Sequence, residues 1–320
     1  MNVTVIGCGR WGSFIGWYLD QIGHSVRFYG PEDTPHMQSF LKTRTNGTIT
    51  LRESIGLTTD LTDGLQSETV VISVPSQGLR GLLHEILDSG VDVKGKTFIL
   101  CMKGIEIESR KRLTQVFEEI MGEDVNVAVW LGPGHPQEFV KGIPNCMVID
   151  SKKPEVKERL VNEFKGPLIR FYYGSDLIGN EIGAAAKNVI GIAAGVLDGI
   201  ERGSLKGALM SRGTREISRL IEACGGNPLS AYGLCHLGDY EATVFSKHSH
   251  NRMFGEMFAR GEKFKDLAEG YYTAKAIVRL AEDKNVDLPI CRAVYQMLYE
   301  NLSIEEGIQM LFNRSLKQEF

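Results

Sequence analysis

The chain lacks an excess of either charge, with 36 Lys and Arg against 40 Asp and Glu, a net charge of -4 in 320 residues. A nucleic-acid footprint or attraction to an anionic membrane needs a basic surplus, so neither partner is expected. A CxxC pair is also missing. Six cysteines lie scattered at Cys8, Cys101, Cys146, Cys224, Cys235 and Cys291, which excludes a short-loop disulfide framework and reads as reduced thiols. No uninterrupted apolar run approaches the roughly 18 residues of a membrane span. The opening "MNVTVIGCG" enters a strand directly, without a basic and apolar leader. A cytoplasmic protein with no integral membrane segment is therefore expected. The length, with 42% hydrophobic residues, allows a substantial core and two domains.

Glycine is plentiful, and its placement carries the first functional signal. "VTVIGCGRWGSFIGWYL" reads as a strand over Val3 to Ile6, then Gly7, Gly9 and Gly12, then helical apolar spacing. This is GxGxxG in the context a dinucleotide needs. Gly7 permits the tight turn, Gly9 admits a pyrophosphate, and Gly12 lets the helix pack closely while its N-terminus faces the anion. The strand "HSVRFYG" then leads to Glu32, twenty residues beyond Gly12. An acid there accepts the ribose hydroxyls and, with Asp33, repels a 2'-phosphate, which favours NAD over NADP. Arg10, Arg27 and Arg44 are the cations that oppose this preference.

Further strands are predicted in "TVVISVPSQGL", "KTFILCMKGI", "VNVAVWLGPGHPQEF", "NCMVIDS" and "PLIRFYYGSD", with a helix over "PEVKERLVNEF". In an open parallel sheet, ligands gather at the carboxyl ends of strands. That places Pro75, Lys103, Gly132 and Gly134 at the cofactor or the substrate. Beyond residue 178 the strands give way to helical patterns at Lys206 to Ala223, Thr273 to Asp283, Ile290 to Tyr299 and Ile304 to Phe312. The fold class is an α/β Rossmann-like N-terminal domain with additional strands, residues 1–178, followed by an all-α C-terminal domain, 179–320. The helical domain is expected to close over the nucleotide domain.

In "NEIGAAAKNVIGIAAG", Gly183, Lys187, Gly191 and Gly195 recur every four positions and share one helical face. Three glycines cost a helix roughly 0.5 to 1 kcal/mol apiece, so something approaches this backbone closely. It is either a substrate or cofactor ring, or another element packed tightly with the lysine reaching to water. A second polar concentration, His236, Asp239, Lys247, His248, His250, Asn251 and Arg252, suits an anion better than a metal. Lys247 and Arg252 disfavour a further cation, and arginine and asparagine supply N–H donors for a phosphate.

Taken in order, "VIGCGRWGS", "VVISVPS", "CMKGIE", "LGPGHPQE", "GAAAKNVIGIAAGVLDG", "LMSRGTREISRL", "LGD", "HNRMFG" and "AEGYYTAK" make the chain resemble the bacterial-type NAD(P)-dependent glycerol-3-phosphate dehydrogenases along nearly its whole length. The resemblance implies reversible hydride transfer between NAD(P)H and dihydroxyacetone phosphate, a small phosphorylated substrate, giving sn-glycerol 3-phosphate. It also implies a homodimer. Lys187 then corresponds to the proton donor and acceptor, and Lys103 and Asp239 to residues lining the substrate. Ser249, His250, Asn251 and Arg252 fall on the substrate-holding motif, Arg10 and Trp11 on the dinucleotide loop, and Glu269 on a cofactor-side position.

The chain departs from the family pattern at Gly134, Pro136 and His250, where serine or threonine, alanine and arginine are usual. The loss of that arginine bears on which phosphorylated substrate is taken. A dehydrogenase of another small polyol phosphate or hydroxy acid is one alternative, and a non-catalytic dinucleotide sensor the other.

Overall fold

In the computed structural model, residues 1–316, 318 and 319 are described, and the chain divides into two compact units. The first comprises Met1–Lys103 and Lys111–Glu181; the second comprises Gly104–Arg110 and Ile182–Phe320. The short 104–110 segment, which the sequence reading kept with the nucleotide domain, clusters with the helices.

The first unit is built on an eight-stranded sheet. Its strands are β1 (Asn2–Ile6), β2 (Ser25–Tyr29), β3 (Gly56–Thr58), β4 (Thr69–Ile72), β5 (Thr97–Leu100), β6 (Asn126–Leu131), β7 (Asn145–Asp150) and β8 (Ile169–Tyr173). Helices α1 (Arg10–Gln21), α2 (Pro35–Thr43), α3 (Leu61–Gly64), α4 (Leu79–Asp88), α5 (Leu113–Met121), α6 (Pro136–Val140) and α7 (Pro154–Phe164) connect them. β4 and β5 are buried at every residue, as the continuous apolar runs "TVVI" and "TFIL" require of strands covered on both faces. The order is β3-β2-β1-β4-β5-β6-β7-β8, and every neighbouring pair is parallel except β6 and β7. β3 escapes sequence reading because three half-buried residues carry no periodicity. The chain order reverses between β1 and β4, so a crevice opens at their carboxyl ends, where the glycine loop lies.

The second unit is helical: most of α8 (Leu177–Gly199), then α9 (Lys206–Ala223), α10 (His250–Ala259), α11 (Glu269–Asp283), α12 (Pro289–Tyr299) and α13 (Ile304–Phe312). α9 and α13 coincide with their expected spans. Between α9 and α10 the chain forms 3-10 turns over Pro228–Tyr232 and Leu237–Asp239 and a π-turn over Glu241–Phe245.

By length and composition α8 qualifies as a membrane span, but 78% of its most apolar window is buried within the fold, as in a core helix. Its glycine face decides between the two readings of that stripe. A Cβ on Gly191 would stand 2.6 Å from Thr243 Cγ2, and one on Gly195 would collide with the Arg252 carbonyl. Reciprocally, a Cβ on Gly255 would collide with the Ile192 carbonyl. The glycines admit neighbouring side chains and, at Gly195, backbone, which is the packing alternative, and Lys187 is buried rather than reaching to water.

Candidate active site

The glycine loop follows β1. Gly7 has φ +107°, and a Cβ there would strike the Ser73 carbonyl at the end of β4. Gly12 packs so tightly on the Gly7 carbonyl that no Cβ fits, whereas the space beside Gly9 is open for 4 Å. Helix α1 starts at Arg10 with no side-chain cap and no acid in its first turn. The positive end of the helix dipole at such a start favours an anion, as a pyrophosphate requires. The Trp11 indole Nε1 is buried without a hydrogen-bond partner among the described residues. An open cradle, an uncapped helix start and an orphaned donor fit a dinucleotide.

β2 ends at Tyr29, so Glu32 and Asp33 hang exposed from the following loop rather than from the strand tip. Two of the three opposing cations are engaged elsewhere. Arg27 is paired with Asp63, and the Arg44 guanidinium donates to the carbonyls of Arg52 and Ile55.

Pro75 opens the turn after β4. Lys103, just beyond β5, donates from Nζ to the Gly132 carbonyl at 2.7 Å and lies 5.7 Å from the centre of the Trp11 ring. Gly132 and Gly134 have φ of +124° and +134°. A Cβ on Gly134 would overlap the Phe139 ring, which stacks on Phe14 at 4.5 Å. The Phe139 ring thus fills the space that a side chain at 134 would need. Pro136 is the first residue of α6, a position that needs no amide donor.

In the second unit, Lys187 and Asp239 are both buried, with Nζ 3.0 Å from Oδ2. Lys187 Nζ also donates to Thr243 Oγ1 at 2.8 Å, and that hydroxyl donates to the Asp239 carbonyl at 2.7 Å. Thr243 was not anticipated from sequence. Its signal is the four-residue step from Asp239, which puts both on one side of a helical turn.

The 249–252 motif separates into two roles. Ser249 caps α10, its Oγ accepting the Arg252 amide at 3.3 Å, and the first turn of α10 holds no acid. His250 Nδ1 lies 3.2 Å from the Leu267 carbonyl. Asn251 donates to Asn188 Oδ1 at 3.0 Å and accepts the Gly270 amide at 2.8 Å, tying α10 to α8 and to the start of α11, where Glu269 lies. Arg252 turns away: Nη1 meets Asp198 at 2.7 Å and Glu256 at 2.8 Å, and Nε donates to the Ser246 carbonyl at 3.0 Å. Its charge is committed to carboxylates.

Models of the two halves of one family match the chain: "NAD-dependent glycerol-3-phosphate dehydrogenase N-terminus" over residues 2–157 and the corresponding C-terminus over 176–309. The chain belongs to the NAD-dependent glycerol-3-phosphate dehydrogenase family. A curated relative from Pelodictyon phaeoclathratiforme, a glycerol-3-phosphate dehydrogenase (NAD(P)+), is 36% identical over 334 residues, covering 100% of this chain and 99% of the relative. A Staphylococcus aureus relative of the same name is 34% identical, covering 99% of each. Among solved structures, glycerol-3-phosphate dehydrogenase from Coxiella burnetii superposes with a TM-score of 0.91 at 25% identity, over 98% of this chain and 99% of that one.

Burial shifts Cys8 and His236 in this family member. The Cys8 thiol in the glycine loop is pushed up to about 12, so it stays protonated beside the cradle. Buried His236 is pulled down to about 4, chiefly by desolvation, and is neutral. Among the described residues no group of three or more His, Cys, Asp or Glu is arranged to hold a metal ion.

Proposed function

We propose that the chain interconverts dihydroxyacetone phosphate and sn-glycerol 3-phosphate, with Lys187 as the acid and base. The observation that carries this is a buried ammonium held by one carboxylate and one hydroxyl, Asp239 and Thr243, a donor fixed in a dry site. Carbonyl reduction needs a proton at the oxygen and a positive charge against the developing alkoxide, and an ammonium supplies both. Asp239 favours the charged form and fixes its direction.

The bound dinucleotide supplies or accepts the hydride. Gly7, Gly9 and Gly12, with the first turn of α1 and the side chains of Arg10 and Trp11, would hold its pyrophosphate, and Pro75, Lys103 and Glu269 would be further cofactor residues. Glu32 and Asp33 favour NAD over NADP, a preference supported by the engagement of Arg27 and Arg44 elsewhere.

The substrate phosphate is read at the N-terminus of α10, by the amides of His250 and Asn251 and by the His250 imidazole, with Ser249 as the cap. Arg252 supports that helix from beneath through Asp198 and Glu256. Lys103, Gly132 and Gly134 complete the substrate contacts. In this reading residues 1–178 form the dinucleotide-binding domain, which also lends Lys103, Gly132 and Gly134 to the substrate, and 179–320 form the helical substrate and catalytic domain. Cysteines with no disulfide among the described residues suit a reducing compartment, which supports a cytoplasmic location, and a homodimer is the expected assembly, to be measured as mass in solution.

The test is oxidation of NADH and of NADPH with dihydroxyacetone phosphate, glyceraldehyde phosphate, dihydroxyacetone and pyruvate. Turnover specific to dihydroxyacetone phosphate is expected. Equal use of phosphorylated and unphosphorylated dihydroxyacetone would reject the substrate.

A further inference from the structure

Behind the Lys187–Asp239 pair lies a second set of contacts that the proton transfer itself does not use. His236, three residues before Asp239 and just ahead of its 3-10 turn, is 0% exposed, as is Tyr240. His236 Nδ1 lies 2.8 Å from the Gly183 carbonyl, and Nε2 lies 2.8 Å from the Tyr240 hydroxyl. A carbonyl only accepts, so Nδ1 carries the proton and donates; the neutral ring then presents Nε2 as an acceptor, and Tyr240 donates to it.

In helical geometry the Gly183 carbonyl also accepts the amide of Lys187, four residues on. One carbonyl thus joins the imidazole to the turn of α8 that bears Lys187. Gly183 allows the approach, since a Cβ there would stand 3.0 Å from His236 Cβ. The 3-10 turn is closed by the Asp239 amide donating to the His236 carbonyl at 3.0 Å. Asp239 is therefore fixed on both sides, by the residue immediately after it and by the one three before.

We propose that His236 and Tyr240 form a positioning clamp that sets the Asp239 carboxylate against the Lys187 ammonium, a role that rests on the dehydrogenase reading above. Neither residue donates a proton to the substrate. Thr243 holds the pair from the other side, bonded to Lys187 and to the Asp239 carbonyl. Loss of the clamp lets the carboxylate shift against the ammonium, and a misplacement near 1 Å lowers a reaction rate by about 10²-fold.

The experiment compares wild type, Tyr240→Phe and His236→Asn in dihydroxyacetone phosphate reduction, with NADH and with NADH deuterated at the transferred position. Tyr240→Phe removes one hydroxyl and keeps the ring. His236→Asn keeps a donor near Nδ1 and loses the Tyr240 bond. Both should lower kcat by about 10-fold to 10²-fold, leave the KM for NADH within about twofold of wild type, and raise the isotope effect as the chemical step becomes limiting. A role in folding alone reduces the fraction of active molecules and leaves the isotope effect unchanged. That outcome, or wild-type kcat in Tyr240→Phe, overturns the clamp.

If the wild type does not reduce dihydroxyacetone phosphate, the substrate reading fails, and the clamp is judged separately by side-chain lysine ¹⁵N NMR. A Lys187 Nζ resonance that moves in Tyr240→Phe supports it. An unmoved resonance overturns it.

Discussion

Gly195 of α8 and the carbonyl oxygen of Arg252 in α10 leave no room between them for a Cβ, and Gly255 returns the same relationship to the carbonyl of Ile192. The two helices meet backbone to backbone, which brings the start of α10 beside the turn of α8 that carries Lys187. Gly195→Ala should gain up to about 1 kcal/mol in helix propensity and lose more than that to the collision, for a net destabilisation of about 1–3 kcal/mol. Urea unfolding checks it. A more stable variant would show that the helices part freely.

Lys187→Ala is expected to preserve the fold and NADH affinity while kcat falls by roughly 10² to 10⁴, the range lost with general acid-base assistance. Fluorescence titration of NADH beside steady-state kinetics separates the two. A parallel loss of dinucleotide affinity would assign Lys187 to the cofactor instead.

Glu32→Gln removes one of the two exposed carboxylates after β2. The wild type should prefer NADH, and the variant should narrow that preference without losing activity, because the glycine loop is untouched. The ratio of kcat/KM for the two cofactors decides it, and a wild-type preference for NADPH would reject the assignment.

Arg252→Ala leaves Asp198 and Glu256 without their shared guanidinium, although Lys206 stays 2.6 Å from Asp198 and Arg260 stays 2.7 Å from Glu256. A stability loss of about 1–3 kcal/mol is expected from charge-assisted bonds of this kind. The KM for dihydroxyacetone phosphate should rise more than that for NADH if the phosphate is read at the start of α10, as proposed. His250→Arg should lower that KM. Thermal unfolding and kcat/KM are measured on the same preparations.

Glu216 accepts the amides of Ile290 and Cys291, both at 2.9 Å, at the start of α12. Burial raises its pKa to about 7, against the opposing pull of those amides and of Arg219. The folded protein therefore binds this proton more tightly than the unfolded chain does. The resulting stability is present in acid and is lost as the pH rises through about 7. His236, pulled down to about 4, acts oppositely, removing stability as the pH falls below the imidazole range. The difference between wild type and Glu216→Gln isolates the first effect: the wild type's advantage should shrink between pH 5 and pH 8. A difference independent of pH would contradict it.

The sequence by itself determined the strands other than β3 and the glycine loop, because these depend on local order, while Lys187 and Asp239 stood out through the family resemblance. A buried strand must be apolar along its length, as in "TVVI", and a loop between strand and helix must place glycine where φ is positive, as at Gly7. α9 and α13 are legible for the same reason, their periodicity and their terminal signals being local. Three half-buried residues of β3 carry no such signal. What only the tertiary structure decided involves partners distant in the chain. The glycine stripe of α8 reads equally as a ligand face or a packing face until α10 is seen against it. Arg252 reads as a phosphate grip, and that its guanidinium also meets Asp198, 54 positions away, is visible only in the fold. His236 reads as one polar residue among several until the Gly183 carbonyl, 53 positions earlier, fixes its tautomer. Charge, hydrogen bonding and excluded volume act through space at a few ångströms, and local sequence order does not record which residues folding brings within that distance.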